Sequence, residues 1–194
     1  MISRVWADGW FEFSGARRPC SLGRSGVARA GSKREGDGCT PAGLWPLRRV
    51  FYRPDRVGLP ETGLPTHAIQ CTDGWCDAPA DPRYNQLVNL PHPASAEKLW
   101  RDDGVYDLIV SLGYNDDPVV AGAGSAIFLH LWRSKSWPTE GCIALAKPDM
   151  ISFLRDATAG DAILVLPAME PAIGAKDELN PDRAPDLRIT PSRP

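Results

Sequence analysis

No stretch of this chain approaches the roughly 18 consecutive apolar residues that a membrane-crossing helix needs, so no span is expected. Basic residues are not in excess: 22 Lys and Arg stand against 24 Asp and Glu, a net charge of −2. A nucleic-acid binder of this size would carry a clear positive surplus, so nucleic acid is not an expected partner. The opening "MISRVWADGWFEFSG" has one Arg, then aromatics broken by Asp8, Gly9 and Glu12. It lacks the charged-then-apolar order of a signal peptide. That start is compatible with action in the cytosol, with an export signal omitted by the chosen start codon, or with a route needing none.

Metal-ligand spacings are also lacking. Histidine occurs three times, and "CTDGWC" (Cys71, Cys76) has no second Cys pair or His-x-x-x-His to complete a zinc set. No metal is expected. "KREGDG" lacks the Gly-Lys-Ser/Thr ending of a phosphate loop and reads as a solvated turn, and no cofactor is implied. The cysteine count of five is odd. In an oxidising compartment it predicts two pairs and one free thiol, with Cys71–Cys76 the natural local pair and Cys20–Cys39 a second.

What is present is a chain long enough, at 194 residues, to bury a core, with 18 glycines and 19 prolines that keep helices short. "YDLIVSLGYN" (106–115), "SAIFLHLW" (125–132) and "AILVLP" (162–167) are β-rich apolar runs of strand length. Residues 20–51 read as strands around a glycine-rich connection, and 54–93 as a long irregular excursion. "KPDMISFLRDATAGD" predicts a helix, with Pro148 in the first turn, Met150, Ile151 and Leu154 on one face, and Gly160 as the stop. The fold class is mainly β with short helices.

Function turns on "HLWRSKSWPTEGCIAL". A free thiol titrates at about pH 8.5, so nucleophilic use of Cys142 needs a base, and His130 closes the strand before it. Gly141 lets the backbone approach a substrate carbonyl. A core histidine beside an unrelated buried cysteine is the alternative. His67 and His92 read as exposed loop histidines. Trp75, Tyr84, Trp100, Trp132 and Trp137 would either wall a groove or pack in the core.

"FLH" ending at His130, followed by "TEGC" (Thr139 to Cys142), resembles the catalytic signature of the L,D-transpeptidase (YkuD/ErfK-type) domain. "LGRSGV", "KREGDGCTPAGLWPLRRV", "GWCDAPADPRYN" and "YDLIVSLGYNDDP" are similar to family segments, in the family's order. The resemblance implies an L,D-transpeptidase-like β-sandwich over 17–167, with an N-terminal extension (1–16) and a Pro-rich C-terminal tail (168–194). It implies Cys142 as nucleophile, His130 as proton donor and acceptor, and Gly141 as the turn that sets oxyanion geometry. Thr139, Glu140 and Trp132 would contact substrate. The implied partners are peptidoglycan stem peptides, with a carbapenem as a covalent adduct at Cys142, and the implied location is the cell envelope or periplasm. The reaction would be thioester-mediated cross-linking or exchange of terminal residues. A hydrolytic relative (L,D-carboxypeptidase or amidase) and a non-catalytic wall-binding module are the alternatives. The stretch departs from many relatives at Glu140, where histidine is common, at Ala144, where Arg or Asn is common, and in a short His-to-Cys interval.

Overall fold

The computed structural model describes residues 1–29, 31–134 and 137–168. The first three strands form an antiparallel meander: β1 (Ile2–Trp6), β2 (Trp10–Phe13) and β3 (Ala16–Ser21). Residues 1–16, expected as an extension, are therefore part of the sheet. Asp8 and Gly9 break the apolar pattern because they make the hairpin turn, where Gly9 takes φ +84°. On β1 the pleat sends Ser3 and Val5 inward and Ile2 and Arg4 outward, the alternation of a half-buried strand. Of the tail expected at 168–194, residues 169–194 lie outside the described residues.

The short strands β4 (Val27–Ala28) and β5 (Thr40–Pro41) lead into β6 (Gly43–Tyr52), which pairs with β7 (Thr66–Ala68). Then follow β8 (Asp73–Cys76), β9 (Leu87–Asn89), β10 (Ala96–Lys98), β11 (Leu108–Leu112), β12 (Phe128–Leu131), β13 (Ile143–Leu145), helix α1 (Lys147–Asp156) and β14 (Ala162–Leu166). The excursion expected at 54–93 is thus not wholly irregular. β8 is the centre of a separate three-stranded sheet in the order β10-β8-β9. Its strands are three or four residues long, too short to show a period between prolines.

The large sheet runs β11-β12-β13-β3-β2-β1-β14-β6-β7, and β11 also pairs with β6. That extra pairing folds the sheet back on itself. β6 bonds β14 through Gly43–Pro46 and β11 through Leu47–Tyr52, so one strand belongs to both layers. Among the described residues α1 is the one helix, with Pro148 in its first turn as expected and Met150, Phe153 and Leu154 buried. Phe153 meets Phe11 and Phe13 edge-on or nearly so, closing the main core. A second apolar cluster, with Phe51, Ile69, Leu99, Tyr106, Ile109 and Phe128 among its members, includes Cys142.

Candidate active site

β12 and β13 are fully buried strands that lie parallel, with His130 opposite Ala144. Cys142 precedes Ala144 by two positions, and side chains two apart share a face. His130 and Cys142 therefore point to the same side of the sheet, and both line one cleft of about 630 Å³.

The turn before Cys142 is fastened from several sides. The Thr139 N–H donates to the Leu22 carbonyl at 2.9 Å, and the Arg24 N–H donates to the Thr139 carbonyl at 2.8 Å. The Thr139 hydroxyl donates to the Cys142 carbonyl at 2.6 Å and accepts the Gly141 N–H at 3.2 Å. Gly141 sits at φ +140°, and a Cβ there would fall 2.8 Å from the Cys39 carbonyl oxygen. Only glycine fits this passage without displacing backbone.

His130 is oriented by its own strand. Its Nδ1 lies 2.8 Å from the Leu131 carbonyl, and a carbonyl can only accept, so Nδ1 carries the proton and Nε2 keeps its lone pair. The Tyr106 ring packs edge-on against the imidazole at 5.2 Å. Burial pulls the His130 pKa down to about 4 and is the main cause pushing the Cys142 thiol up to about 12. The resting pair is neutral imidazole and neutral thiol. The thiol donates to the Ala126 carbonyl at 3.1 Å, and the Phe128 N–H reaches the sulfur at 3.4 Å.

Ala126 is itself held. Its N–H donates to Asn85 Oδ1 at 3.0 Å, and that oxygen also accepts the Trp75 indole N–H at 2.9 Å. Asn85 in turn donates to the Tyr114 and Asn115 carbonyls at 3.0 and 2.8 Å. A buried amide thus ties the three-stranded sheet to the segment that accepts the thiol's hydrogen bond.

The cleft wall is charged. The Tyr106 hydroxyl donates to Glu97 at 2.7 Å, and Arg101 and Arg133 both pair with Asp103 at 2.6 Å. Burial raises the Glu97 pKa, whereas the Arg101 partner holds the Asp103 carboxyl well below its usual range. Asp77 also lines the cleft, with a buried Oδ1 that lacks a hydrogen-bond partner among the described residues.

Thr139, Glu140 and Trp132 all border the cleft with Cys142, His130 and Trp137. Glu140 is 77% exposed and accepts from Arg24 Nε at 2.8 Å, rather than pairing with Arg133. Trp75 and Trp100 belong to the wall of the second core, Tyr84 donates to Glu35, and none of the three lines the cleft. His67 and His92 are not free loop histidines: each is paired to a carboxylate, Asp73 and Asp81. "KREGDG" is not a solvated turn either. Lys33 is 5% exposed, bonded to Asp37 and the Arg34 carbonyl, and Glu35 accepts from Ser125. Lys33, Glu35, Asp77, Glu97, Arg101 and Tyr106 are cleft residues that local spacing did not reveal. They come from segments far apart in sequence. All five cysteines are free, so the pairs Cys71–Cys76 and Cys20–Cys39 are not formed. Cys71 is exposed and Cys76 is buried.

The profile of the L,D-transpeptidase catalytic domain (YkuD) matches residues 3–165. Among solved structures, the chain is similar to the helical cell shape determining protein Pgp2 from Campylobacter jejuni. The K307A mutant aligns at 15% identity over 87% of this chain and 47% of that one, with a TM-score of 0.43. The unsubstituted protein aligns at 13% identity over 87% and 48%, with a TM-score of 0.42. The present chain spans about half the length of those proteins.

Proposed function

The chain belongs to the L,D-transpeptidase catalytic domain family, and from that premise we propose that it is a cysteine-dependent acyltransferase acting on peptidoglycan stem peptides. The observation that carries the reading is the shared face of His130 and Cys142, with His130 Nδ1 engaged so that Nε2 is the free base.

Because both groups rest neutral, the thiol must lose its proton as it attacks rather than beforehand. Sulfur bonds to the stem-peptide carbonyl carbon, the S–H proton passes to His130 Nε2, and the carbonyl oxygen becomes an oxyanion. The Cys142 N–H, presented by the Gly141 turn, is the candidate donor to that oxygen. Collapse breaks the C–N bond, and His130 returns the proton to the leaving amine. An acceptor amine then attacks the thioester carbonyl and gives its proton to His130; the C–S bond breaks, and His130 returns that proton to the sulfur, restoring the thiol. Buried imidazole serves this cycle well, because an uncharged base is available across the neutral range. Thr139 fixes the nucleophile loop, and Trp132 and Glu140 border the path by which the acceptor enters. A carbapenem would acylate the same sulfur, and the site of action would be the cell envelope or periplasm.

Incubation with disaccharide-tetrapeptide muropeptides and an added amine, followed by mass spectrometry, tests the reading. Cross-linked dimers or exchanged terminal residues are expected. Trimming alone would point to the hydrolytic relative, and unchanged muropeptides to a wall-binding module.

A further inference from the structure

We propose that Cys76, Asp81 and His92 form a binding site for a zinc-type divalent cation, outside the cleft, that ties together the three-stranded sheet. One ligand atom from each residue lies within 4.8 Å of the other two. His92 Nε2 and Asp81 Oδ2 are 3.2 Å apart. A tetrahedral zinc ion bonds N, O and S at about 2.0 to 2.3 Å, which sets its ligands roughly 3.3 to 3.8 Å from one another. The cluster needs only small side-chain adjustments to reach that geometry.

The chemistry of the donors fits. Sulfur, imidazole and carboxylate together suit a borderline ion such as zinc, and not the oxygen-only preference of calcium or magnesium. Cys76 is fully buried, and no hydrogen bond to its sulfur is found among the described residues. Asp81 uses its other oxygen to accept the Arg83 N–H at 2.7 Å, which leaves Oδ2 for His92. Asp81 and His92 are each partly exposed, so an ion and a fourth, water ligand have a way in. On binding, the Cys76 thiol proton is released to solvent as the sulfur–metal bond forms.

The position gives the site its consequence. Cys76 ends β8, Asp81 lies between β8 and β9, and His92 lies between β9 and β10. One ion would clip the central strand to both of its connections. Neighbouring residues Trp75, Asp77 and Glu97 belong to or flank the same sheet and reach the Asn85 hub or the cleft wall. None of the three ligands lines the cleft, so the ion's role is structural. The sequence spacing hid it, because Cys76 finds its partners in Asp81 and His92 rather than in Cys71.

The full chain, stripped with chelator and dialysed against cobalt(II) or zinc(II), provides the test. One equivalent should bind, with a thiolate-to-cobalt charge-transfer band and a rise in Tm. Both should persist in Cys142→Ala and vanish in Cys76→Ser and His92→Ala. The Cys142→Ala background carries no nucleophile, so the result is independent of the proposed enzyme activity. Absence of stoichiometric uptake, or a band lost with Cys142 and kept in Cys76→Ser, overturns the proposal. If Cys76→Ser does not fold, Asp81→Asn must weaken metal affinity at least about tenfold, and an unchanged affinity overturns the proposal equally.

Discussion

The Cys142 thiol is turned toward the Ala126 carbonyl, 3.1 Å away, and so spends its proton on the backbone in the resting protein. In the proposed reaction this contact positions the sulfur until its proton passes to His130. The Ala126 segment is held by the Asn85 amide, which makes this resting contact a property of the fold.

Removing either reacting group should stop turnover. Cys142→Ala and His130→Ala are each expected to lose at least about a thousandfold in muropeptide conversion, since members of one catalytic unit fail together. Near-ultraviolet circular dichroism should still report a packed core. Activity near that of the parent in either variant would remove the assigned roles.

Thiol reactivity should separate by site. Cys71 is exposed and should alkylate first with iodoacetamide, whereas Cys142, with its pKa pushed up to about 12, should label slowly at pH 7 and faster throughout the alkaline range. Site-resolved mass spectrometry reads this directly. A plateau of fast Cys142 labelling near neutrality would mean a preformed thiolate and a different resting state.

The acid limb of activity follows from His130. Its pKa is lowered to about 4, so the base remains unprotonated well below the ordinary histidine range. Donor acylation should hold down to about pH 5 and fall near pH 4. The same shift acts on stability. An unfolded histidine takes up a proton as pH drops through about 6.5, the folded one does not until about 4, and stability is therefore lost across that window. The His130→Gln protein should show a flatter dependence of Tm on pH between 6.5 and 4, and an unchanged slope would refute the linkage.

Asn85 should behave as a positioning residue. Asn85→Ala removes an acceptor for two N–H groups and a donor to two carbonyls, in a side chain that is nearly fully buried. A loss of about 2–3 kcal/mol in unfolding free energy is expected from unsatisfied partners. Acylation measured at a temperature where the variant is folded should also slow, because Ala126 is no longer fixed against the thiol. Retained acylation would confine Asn85 to stability.

The Arg24–Glu140 pair offers a test of acceptor recognition. If the Glu140 carboxylate draws a cationic amine, Glu140→Gln should weaken transfer more than acylation, and Arg24→Ala should strengthen transfer by freeing the charge. Both effects should shrink with added salt, as expected for an exposed pair. Equal effects on acylation and transfer would take Glu140 out of acceptor binding.

The parts of the fold legible in sequence are those that bury continuous apolar runs. β11, β12 and β14 stand within the expected segments, and α1 follows from its proline; of its expected face Met150 and Leu154 are buried, whereas Ile151 is exposed and Phe153 takes the buried place. The meeting of His130 with Cys142 was readable because it is local: Gly141, Cys142 and the preceding histidine lie within one turn and two strands. β1 and β2 were hidden by their charged hairpin, although Arg4 and Glu12 form a cross-strand pair on the solvent face. β8 to β10 were hidden by shortness. The cleft wall was hidden for another reason. Lys33, Glu35, Asp77, Glu97 and Arg101 meet only once the sheets are assembled, and no period or spacing encodes such a meeting.

The parallel pairing of β1 with β14 matches Ile2 to Ala162, across 160 residues of chain. During synthesis at about 5–20 residues per second, roughly 8–30 seconds separate the emergence of the two partners. The β1–β2–β3 meander can form at once, but one side of β1 then waits as an open row of donors and acceptors. A nascent chain of this protein therefore carries its central sheet half-made until β14 arrives. Completion of the core is a late event, tied to the emergence of β14 rather than to that of Cys142.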